Sequence, residues 1–253
     1  MLLLAIDIGN TNISCGIFYG GKLRNRFDIE TKKYSRTGLF KKLAHHPGIS
    51  AAVLCSVVPR LDRVIRKDLA DYTGGFVYQI GKEIKVPIEN RYRFPGQVGQ
   101  DRLVNAYAAS RLYRAPLVVI DSGTAITFDA VSGDKAYLGG LIFPGMRISL
   151  AALSEKTALL PEAKLGKPKG LIGKDTESSI LNGVVLGTAA LCKELSRRIK
   201  KELGGKTKII GTGGNIPMIR KYSGIKMEIN KELTLLGIRL IYEEVAEDKK
   251  RLP

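Results

Sequence analysis

The sequence predicts an α/β fold of two related halves around one cleft. Near the N-terminus the apolar residues 2–6 lead into Asp7-Ile-Gly-Asn-Thr-Asn12, and roughly half a chain later residues 117–120 lead into Asp121-Ser-Gly-Thr-Ala125. In both places a strand meets an Asp-x-Gly turn of small polar residues. Each pattern opens a set of three strand-like runs, after which helices and further strands follow. That succession is typical of α/β proteins.

The first half is predicted to hold five strands and three helices. Gly20-Gly21 between two strand-like runs is typical of a hairpin turn, and Pro59 lies where proline is favoured, at a helix start. The predicted strands are residues 2–8, 12–19, 22–29, 49–56 and 76–80, and the predicted helices are 35–45, 57–69 and a third from about residue 99 to before residue 116. That third helix is expected to bury one face, with Leu103, Val104, Tyr107, Ala108 and Leu112. Residues 82–98 contain two prolines and little periodicity, which predicts a long loop of the kind that is usually functional.

The second half repeats the plan. Strands are predicted at residues 117–121, 125–131, 136–143 and 209–211, and helices at 145–155, 176–203, 215–222 and 232–246. Residues 156–174 are rich in proline, glycine and lysine, which indicates a loop. The helix 176–203 carries an apolar stripe wide enough to be buried on more than one side, and this favours a dimer.

Composition restricts the class of protein. Hydrophobic residues make up 44% and charged residues 26% of the chain, which is ordinary for a soluble globular protein. No apolar run approaches the roughly 20 residues that a membrane helix needs. Cys15, Cys55 and Cys192 are widely spaced, which predicts buried free thiols in a reducing cytoplasm. The only two histidines, His45 and His46, are expected at the surface, so a His-based metal site or a Ser-His-Asp triad is disfavoured.

The charge of the chain favours anionic partners. The formal net charge is +17, an excess that suits nucleotides, anionic metabolites or nucleic acid. The basic residues are spread along the chain and interleaved with acidic ones, and no zinc-finger or RNA-recognition signature is present. A dedicated nucleic-acid-binding protein is therefore disfavoured but stays open as an alternative.

Three strand-end turns are candidates for nucleotide binding. In Asp7-Ile-Gly-Asn-Thr-Asn12 the carboxylate could hold Mg²⁺ while amide and hydroxyl groups bond phosphate oxygens. In Asp121-Ser-Gly-Thr-Ala125 the hydroxyls of Ser122 and Thr124 could also face an anion, and two such turns facing each other would form a phosphate clamp. Gly211-Thr-Gly-Gly214 suits an adenosine moiety, since glycine permits close backbone approach. Each turn alone could equally be a plain turn, in which Asp, Asn and Gly are common.

Asp101 and Arg102, at the start of the third predicted helix, are the candidate groups for proton transfer and anion binding. Asp101 could take a proton from a substrate hydroxyl while Arg102 holds an anionic group. The alternative is that Asp101 caps the helix N-terminus and stabilises its first turn by about 1 kcal/mol. Spacing alone favours the capping role.

Seven motifs, in this order along the chain, resemble those of the type III pantothenate kinases. They are Asp7-x-Gly-Asn-Thr-Asn, Gly99-x-Asp-Arg102, Asp121-Ser-Gly-Thr-Ala, Gly139-Gly-x-Ile-x-Pro-Gly145, Thr157-Ala-x-Leu-Pro161, Gly173-x-x-Thr176 and Thr212-Gly-Gly214. The resemblance implies ATP-dependent phosphorylation of pantothenate to 4'-phosphopantothenate, the first step of coenzyme A biosynthesis. It implies two ribonuclease-H-like halves of the actin-like ATPase fold, residues 1–114 with the first phosphate turn and the base helix, and residues 115–253 with the second phosphate turn, the dimer helix and the adenosine turn. It also implies a cytoplasmic homodimer that uses Mg²⁺ with ATP and a monovalent cation, K⁺ or NH₄⁺.

The resemblance further implies a role for individual residues. Asp101 would be the general base on the pantothenate hydroxyl and Asp121 would hold the monovalent cation; the assignment of Mg²⁺ to Asp7 rests on the chemistry of its turn alone. The residues expected to bind pantothenate are Tyr92, Gly99, Gln100, Asp101, Arg102 and Thr176, the last from the partner subunit. The residues expected to bind ATP are Asp7, Ile8, Gly9, Asn10, Thr11, Asn12, Ile13, Ser14, Thr124, Gly213 and Gly214. The alternatives are a non-catalytic regulatory homologue that acts on transcription, a nucleic-acid-binding protein, and a kinase or ATPase for another small molecule.

Overall fold

The computed structural model describes residues 2–204 and 206–251, which form two compact units. The first unit comprises the chain up to Glu89, Arg93–Arg111 and the chain from Glu232 onward, and the second comprises Asn90–Tyr92 and Leu112–Lys231. The halves expected from the sequence, 1–114 and 115–253, differ from these units chiefly in the helix that follows residue 232. That helix contributes to the core of the first unit.

The first unit contains a mixed five-stranded sheet. Its strands are β1 (Leu2–Ile8), β2 (Asn12–Tyr19), β3 (Lys22–Glu30), β4 (Ile49–Ser56) and β5 (Phe76–Gln79), in the order β3-β2-β1-β4-β5. The first three pair antiparallel, whereas β4 pairs parallel to β1 and β5 parallel to β4. These strands confirm the sequence prediction. Because the carboxyl ends of parallel strands meet at one edge, the residues that follow β1 and β4 lie near each other.

The second unit repeats this topology. Its strands are β6 (Leu117–Ser122), β7 (Ala125–Val131), β8 (Tyr137–Pro144), β9 (Lys208–Thr212) and β10 (Glu228–Ile229), in the order β10-β9-β6-β7-β8. An antiparallel meander of three strands is again extended by parallel strands. Strand β10 was not predicted, because a run of two residues shows no periodicity. The similar Asp-x-Gly turns in the sequence thus stand at equivalent places in two sheets of one topology.

Seven α-helices lie in the described residues 2–204 and 206–251. They are α1 (Arg36–Leu43), α2 (Pro59–Thr73), α3 (Gln100–Leu112), α4 (Met146–Lys156), α5 (Thr176–Leu203), α6 (Ile216–Ser223) and α7 (Leu233–Arg251). All seven were predicted, with ends that differ by a few residues. The longest, α5, has 28 residues. In this part of the chain no helix has both the length and the apolar character to cross a membrane.

The central strands of the first sheet are buried on both faces. Leu4 and Ile6 of β1 pack on the side of α1 and α2, whereas Leu3 and Ala5 pack on the side of α3 and α7. Strands covered on both faces have nearly continuous apolar sequences rather than alternating ones. The run Leu2–Ile8 follows this rule except at Asp7, a half-buried polar residue near the carboxyl end of the strand.

Helix α3 is more deeply buried than its sequence indicated. The expectation of a single apolar face was wrong: every residue from Arg102 to Ser110 is buried, and Leu112 is 42% exposed. Gly237 of α7 explains the close packing, since a Cβ there would lie 2.7 Å from Cγ1 of Val104. A helix covered on all sides has no solvent face, so its burial cannot be read from a 3.6-residue period. Leu112 is exposed because it is the last residue of the helix.

The three cysteines are buried and free, as predicted. Burial raises the pKa of each thiol, to about 12 for Cys192, and well above the ordinary range for Cys15 and Cys55. A thiol that stays protonated behaves as a small apolar side chain.

Candidate active site

Hydrogen bonds within the first unit hold the turn between β1 and β2. The N–H of Gly9 donates to the carbonyl of Asn12 over 2.9 Å. A Cβ on Gly9 would lie 3.0 Å from that same oxygen, so the turn has little room for a larger residue. Thr31 braces the turn from the end of β3: its hydroxyl donates to the carbonyl of Gly9 over 2.7 Å, and its N–H to the carbonyl of Thr11 over 2.9 Å.

The residues predicted to bind ATP in this turn differ in exposure. The exposed ones are Asn10, Thr11 and Asn12. Ile8 and Ile13 are buried in the core, so only their backbone could contact a ligand. Ser14 is half-buried, and its hydroxyl donates to Asp28 over 2.6 Å. The exposed tip of the turn, with the half-buried Asp7 at its base, is the part that can face an anion.

Asp7 and Asp101 come together at one edge of the first sheet. Asp7 is paired with Cys55 in the parallel register of β1 and β4. After burial, the charges of Asp7 and Asp101 are the largest causes of the raised pKa of the Cys55 thiol. Both carboxylates thus act electrostatically on one buried thiol, although 94 residues separate them in the sequence.

The environment of Asp101 makes it a stronger base than an ordinary aspartate. Burial raises the pKa of its carboxyl group, while the backbone N–H and the guanidinium of Arg102 oppose that shift. Helix α3 begins at Gln100, so Asp101 lies inside the first turn and is not the capping residue that precedes it. The carbonyl of Gly99 accepts from the N–H groups of Arg102 and Leu103 over 3.1 and 3.3 Å.

Two glycines leave room for the side chains at the start of α3. A Cβ on Gly99 would lie 2.5 Å from Oδ1 of Asp101. Gly81, after β5, has φ +87°, and a Cβ there would lie 2.8 Å from Cδ of Gln100. Gln100 and Asp101 therefore rest directly against backbone that carries no side chain.

In the second unit the turn after β6 is closed in a similar way. The N–H of Gly123 donates to the carbonyl of Ala125, and the N–H of Gly145 to the carbonyl of Thr124, each over 3.0 Å. Thr124 is exposed, as an ATP-binding side chain must be. Ser122, however, is 0% exposed. Its buried hydroxyl has no hydrogen-bond partner among the described residues, and the expectation that it faces an anion stays a prediction.

The Gly211–Gly214 turn lies against this second turn. Gly213 has φ +87°, and the space above its Cα is bounded by Oδ1 of Asp121 and by the carbonyl oxygen of Ser122, the latter 2.6 Å from an ideal Cβ. The N–H of Asn215 donates to the same Ser122 carbonyl over 3.1 Å. Gly214 is exposed. Two of the predicted nucleotide turns thus meet in the second unit, around oxygen atoms that could hold a cation.

Tyr92 and Thr176 also belong to the second unit. The Tyr92 ring lies over Gly139, whose added Cβ would be 3.1 Å from the ring, and its centroid is 6.4 Å from that of Tyr137. Thr176 is the exposed first residue of α5. Asp175, just before it, caps the helix by accepting from the N–H of Ser178 over 2.7 Å.

Sequence reasoning missed Asp129 and Tyr137, which lie behind Tyr92. Both are 0% exposed, and the Tyr137 hydroxyl donates to Oδ1 of Asp129 over 3.0 Å. One signal in the sequence was available, because Asp129 falls at an inward position of a buried strand. Burying a carboxylate costs free energy unless it is hydrogen-bonded.

Comparison with known proteins identifies the family. The sequence model of the type III pantothenate kinases matches residues 3–198. The chain is 38% identical over 250 residues to the type III pantothenate kinase of Dehalococcoides mccartyi, an alignment that covers 95% of this chain and 97% of that protein.

Similar solved structures agree in fold. One is a conserved Baf family protein from Campylobacter jejuni, named as a candidate transcriptional activator, with a TM-score of 0.61 and 21% identity over 96% of this chain and 99% of that chain. Another is component A of (R)-2-hydroxyglutaryl-CoA dehydratase from Acidaminococcus fermentans, with a TM-score of 0.54 and 13% identity over 97% and 99% of the two chains. At these identities the similarity concerns the fold alone, the actin-like α/β fold with two mixed sheets. The family match over most of the sequence and the identity over nearly its whole length show that this chain belongs to the type III pantothenate kinase family.

Proposed function

We propose that this chain transfers the terminal phosphoryl group of ATP to the hydroxyl of pantothenate with Asp101 as the general base. Family membership supplies the reaction, which forms 4'-phosphopantothenate in coenzyme A biosynthesis; the catalytic group is our assignment. The observation that carries the assignment is the environment of Asp101. Its carboxylate lies at the start of α3, has a pKa raised by burial and, like Asp7, raises the pKa of the Cys55 thiol.

In this proposal the ionised Asp101 accepts the hydroxyl proton as the pantothenate oxygen attacks. Phosphoryl transfer asks the protein mainly for positioning and for neutralisation of charge. A general base works best when its pKa lies near the operating pH, so the raised pKa of Asp101 is favourable. Because the transition state is loose, we expect the position of the carboxylate to matter more than its base strength.

Six residues are assigned to pantothenate. Besides Asp101 they are Tyr92, Gly99, Gln100, Arg102 and Thr176. The guanidinium of Arg102 would bind the pantothenate carboxylate by charge-assisted hydrogen bonds. The exposed hydroxyl of Thr176 would serve the active site of the partner subunit.

The ATP phosphates are assigned to the turn from Asp7 to Ser14 and to Thr124, and the adenosine moiety to Gly213 and Gly214. Mg²⁺ bound with ATP would neutralise phosphate charge, and Asp7 is the residue that would hold it. Magnesium is usually held by one or two carboxylates together with substrate phosphates and water. The residues fit such a site: Asp7 offers one carboxylate, and the described residues contain no group of three or more acidic, Cys or His side chains that could form a closed metal site.

A monovalent cation is assigned to Asp121. The assignment is supported by the oxygen atoms gathered at this place, since Oδ1 of Asp121 and the carbonyl oxygen of Ser122 both pack against the backbone of Gly213. Oxygen ligands of this kind suit K⁺, and NH₄⁺ could donate hydrogen bonds to the same atoms.

We also propose that the chain forms a homodimer through α4 and α5. A groove of about 320 Å³ between these helices is lined by Ser149, Leu153, Ser179, Ile180, Gly183, Val184, Gly187 and Thr188. Near the start of α5, Leu171 and Ile172 are 78% and 75% exposed. Adjacent exposed apolar side chains are typical of an interface. Light scattering at micromolar concentration should give a dimer mass, and Gly187→Glu should give the monomer; a monomeric native chain would contradict this part of the proposal.

The test of the reaction is a coupled assay with ATP and pantothenate, with and without K⁺ or NH₄⁺. Asp101→Asn should lose most turnover while its affinity for ATP changes little. The matched control is Asp71→Asn, since Asp71 is an exposed aspartate of α2 paired with Arg36. Near-native kcat in Asp101→Asn would refute the base assignment.

The same assay separates the alternative functions. A native chain without turnover would favour a regulatory homologue or a kinase for another substrate, which a substrate panel would identify. Nanomolar binding of DNA or RNA that persists at physiological salt would favour a nucleic-acid-binding protein. The free thiols fit a reducing compartment, and we propose a cytoplasmic location.

A further inference from the structure

A fully buried carboxylate in the second unit lies outside every motif assigned to the reaction. Asp129, in the middle of β7, is 0% exposed. The hydroxyl of Thr127 donates to its Oδ2, and the hydroxyl of Tyr137 to its Oδ1, each over 3.0 Å. A buried carboxylate is tolerated when such donors surround it. Asp129 therefore fixes two hydroxyl groups at once.

The first of these hydroxyls lies next to the residue assigned to the cation. Thr127 is directly opposite Asp121 in the antiparallel pairing of β6 and β7. Side chains directly opposite each other point to the same face of a sheet, with Cβ atoms about 5 Å apart. The hydrogen bond to Asp129 thus holds the Thr127 side chain beside Asp121.

The second hydroxyl belongs to the residue that supports Tyr92. Tyr137 is 0% exposed, and its ring is inclined by 46° to the Tyr92 ring at a centroid distance of 6.4 Å. A backbone hydrogen bond holds the residue before Tyr92 to the same tyrosine, since the N–H of Arg91 donates to the carbonyl of Tyr137 over 2.9 Å. Tyr92 therefore rests on a ring whose far end is fixed by Asp129.

We propose that Asp129 is a positioning residue for two parts of the site: through Thr127 it orders the cation ligand Asp121, and through Tyr137 it orders the pantothenate residue Tyr92. The inference rests on the proposed function for the roles of Asp121 and Tyr92. A carboxylate is suited to this task because both of its oxygens accept hydrogen bonds. An asparagine has one acceptor oxygen, so one of the two hydroxyls would have to turn.

Three variants separate the two branches. Tyr137→Phe removes one hydroxyl and keeps the ring, and it should raise the KM for pantothenate roughly three- to tenfold, the effect of one lost hydrogen bond, with the KM for ATP and the K⁺ requirement unchanged. Thr127→Val should raise the K⁺ concentration for half-maximal activity by a similar factor, with the KM for pantothenate unchanged. Asp129→Asn should show both effects. The matched control is Tyr34→Phe in the first unit, which removes another tyrosine–aspartate hydrogen bond, 2.7 Å from Tyr34 to Asp68.

A purely structural role would give a different pattern. Tyr137→Phe and Tyr34→Phe would then lower the melting temperature alike and leave the KM for pantothenate alone; that result, together with an unchanged K⁺ response in Thr127→Val, would overturn the proposal. If Asp129→Asn does not fold, the two hydroxyl deletions still decide the question. Failure of the underlying reaction is distinguishable, because the native chain would then lack turnover in the same assay.

Discussion

Gly99 is the position at which one added carbon tests the role of Asp101 most directly. In Gly99→Ala the new Cβ would lie 2.5 Å from Oδ1 of Asp101, whereas ordinary contact begins at 3.4 Å, so the oxygen has to move by about 0.9 Å. A misplacement of about 1 Å at a reacting group can lower the rate about 100-fold, which corresponds to about 2.7 kcal/mol of activation free energy. We therefore expect kcat to fall by a factor of this order.

The same geometry predicts that the fold tolerates the change. Oδ1 is the end of a rotatable side chain, and Gly99 is not among the glycines with positive φ. The expected result is thus a loss of kcat with nearly unchanged thermal unfolding and an unchanged KM for ATP. Gly96→Ala is the matched control, since Gly96 lies three residues earlier and its Cβ would meet no described atom within 4 Å.

Steady-state kinetics and a thermal melt of both variants decide the matter. If Gly99→Ala keeps the kcat of Gly96→Ala, the position of the Asp101 carboxylate does not limit the reaction and the reasoning is refuted. If kcat falls only in proportion to a lower melting temperature, the added carbon acts on the fold rather than on the base.

Three further predictions follow from burial and packing. As the pH is lowered, the kcat of the native chain should begin to fall at a pH above the ordinary aspartate pKa of about 3.9. The reason is that burial raises the pKa of Asp101 and only its ionised form accepts a proton. A pH profile in which kcat falls only at the ordinary aspartate pKa would contradict this. The three thiols should resist a disulfide reagent in the native protein and react once the protein is unfolded, because burial raises all three pKa values. Rapid reaction of the native protein would contradict this prediction. Gly237→Ala should lower the free energy of unfolding by about 1–3 kcal/mol through overpacking, because its Cβ would lie 2.7 and 2.8 Å from atoms of Val104; an unchanged urea midpoint would disagree.

Strands, helices and turns followed from local patterns in the sequence. The run before Asp7 predicts a strand because it is apolar and ends in a turn of small polar residues. The burial of α3 did not follow, because Gly237 lies more than a hundred residues further along the chain and its packing on Val104 is a tertiary fact. Short β10 left no periodic signal.

For the candidate site, the motifs predicted which residues belong to it but not which other residues contact them. That Asp7 lies beside Cys55 depends on the register of β1 and β4, and that Asp101 acts on the same thiol depends on how α3 packs on this sheet. The role proposed for Asp129 depends on the pairing of Thr127 with Asp121 across two strands and on the contact of the Tyr137 ring with Tyr92. Such relations arise between segments distant in sequence, so a single chain read by periodicity does not contain them.

The chain order of the two units has a consequence for synthesis on the ribosome. The second unit is almost continuous, from Leu112 to Lys231, whereas the first needs the helix Leu233–Arg251 to complete its core. Domains fold as units during synthesis, but β1 and α3 emerge long before the helix that covers them. The unit that is translated first is therefore the last to be complete, and until then its apolar surface around Val104 remains uncovered.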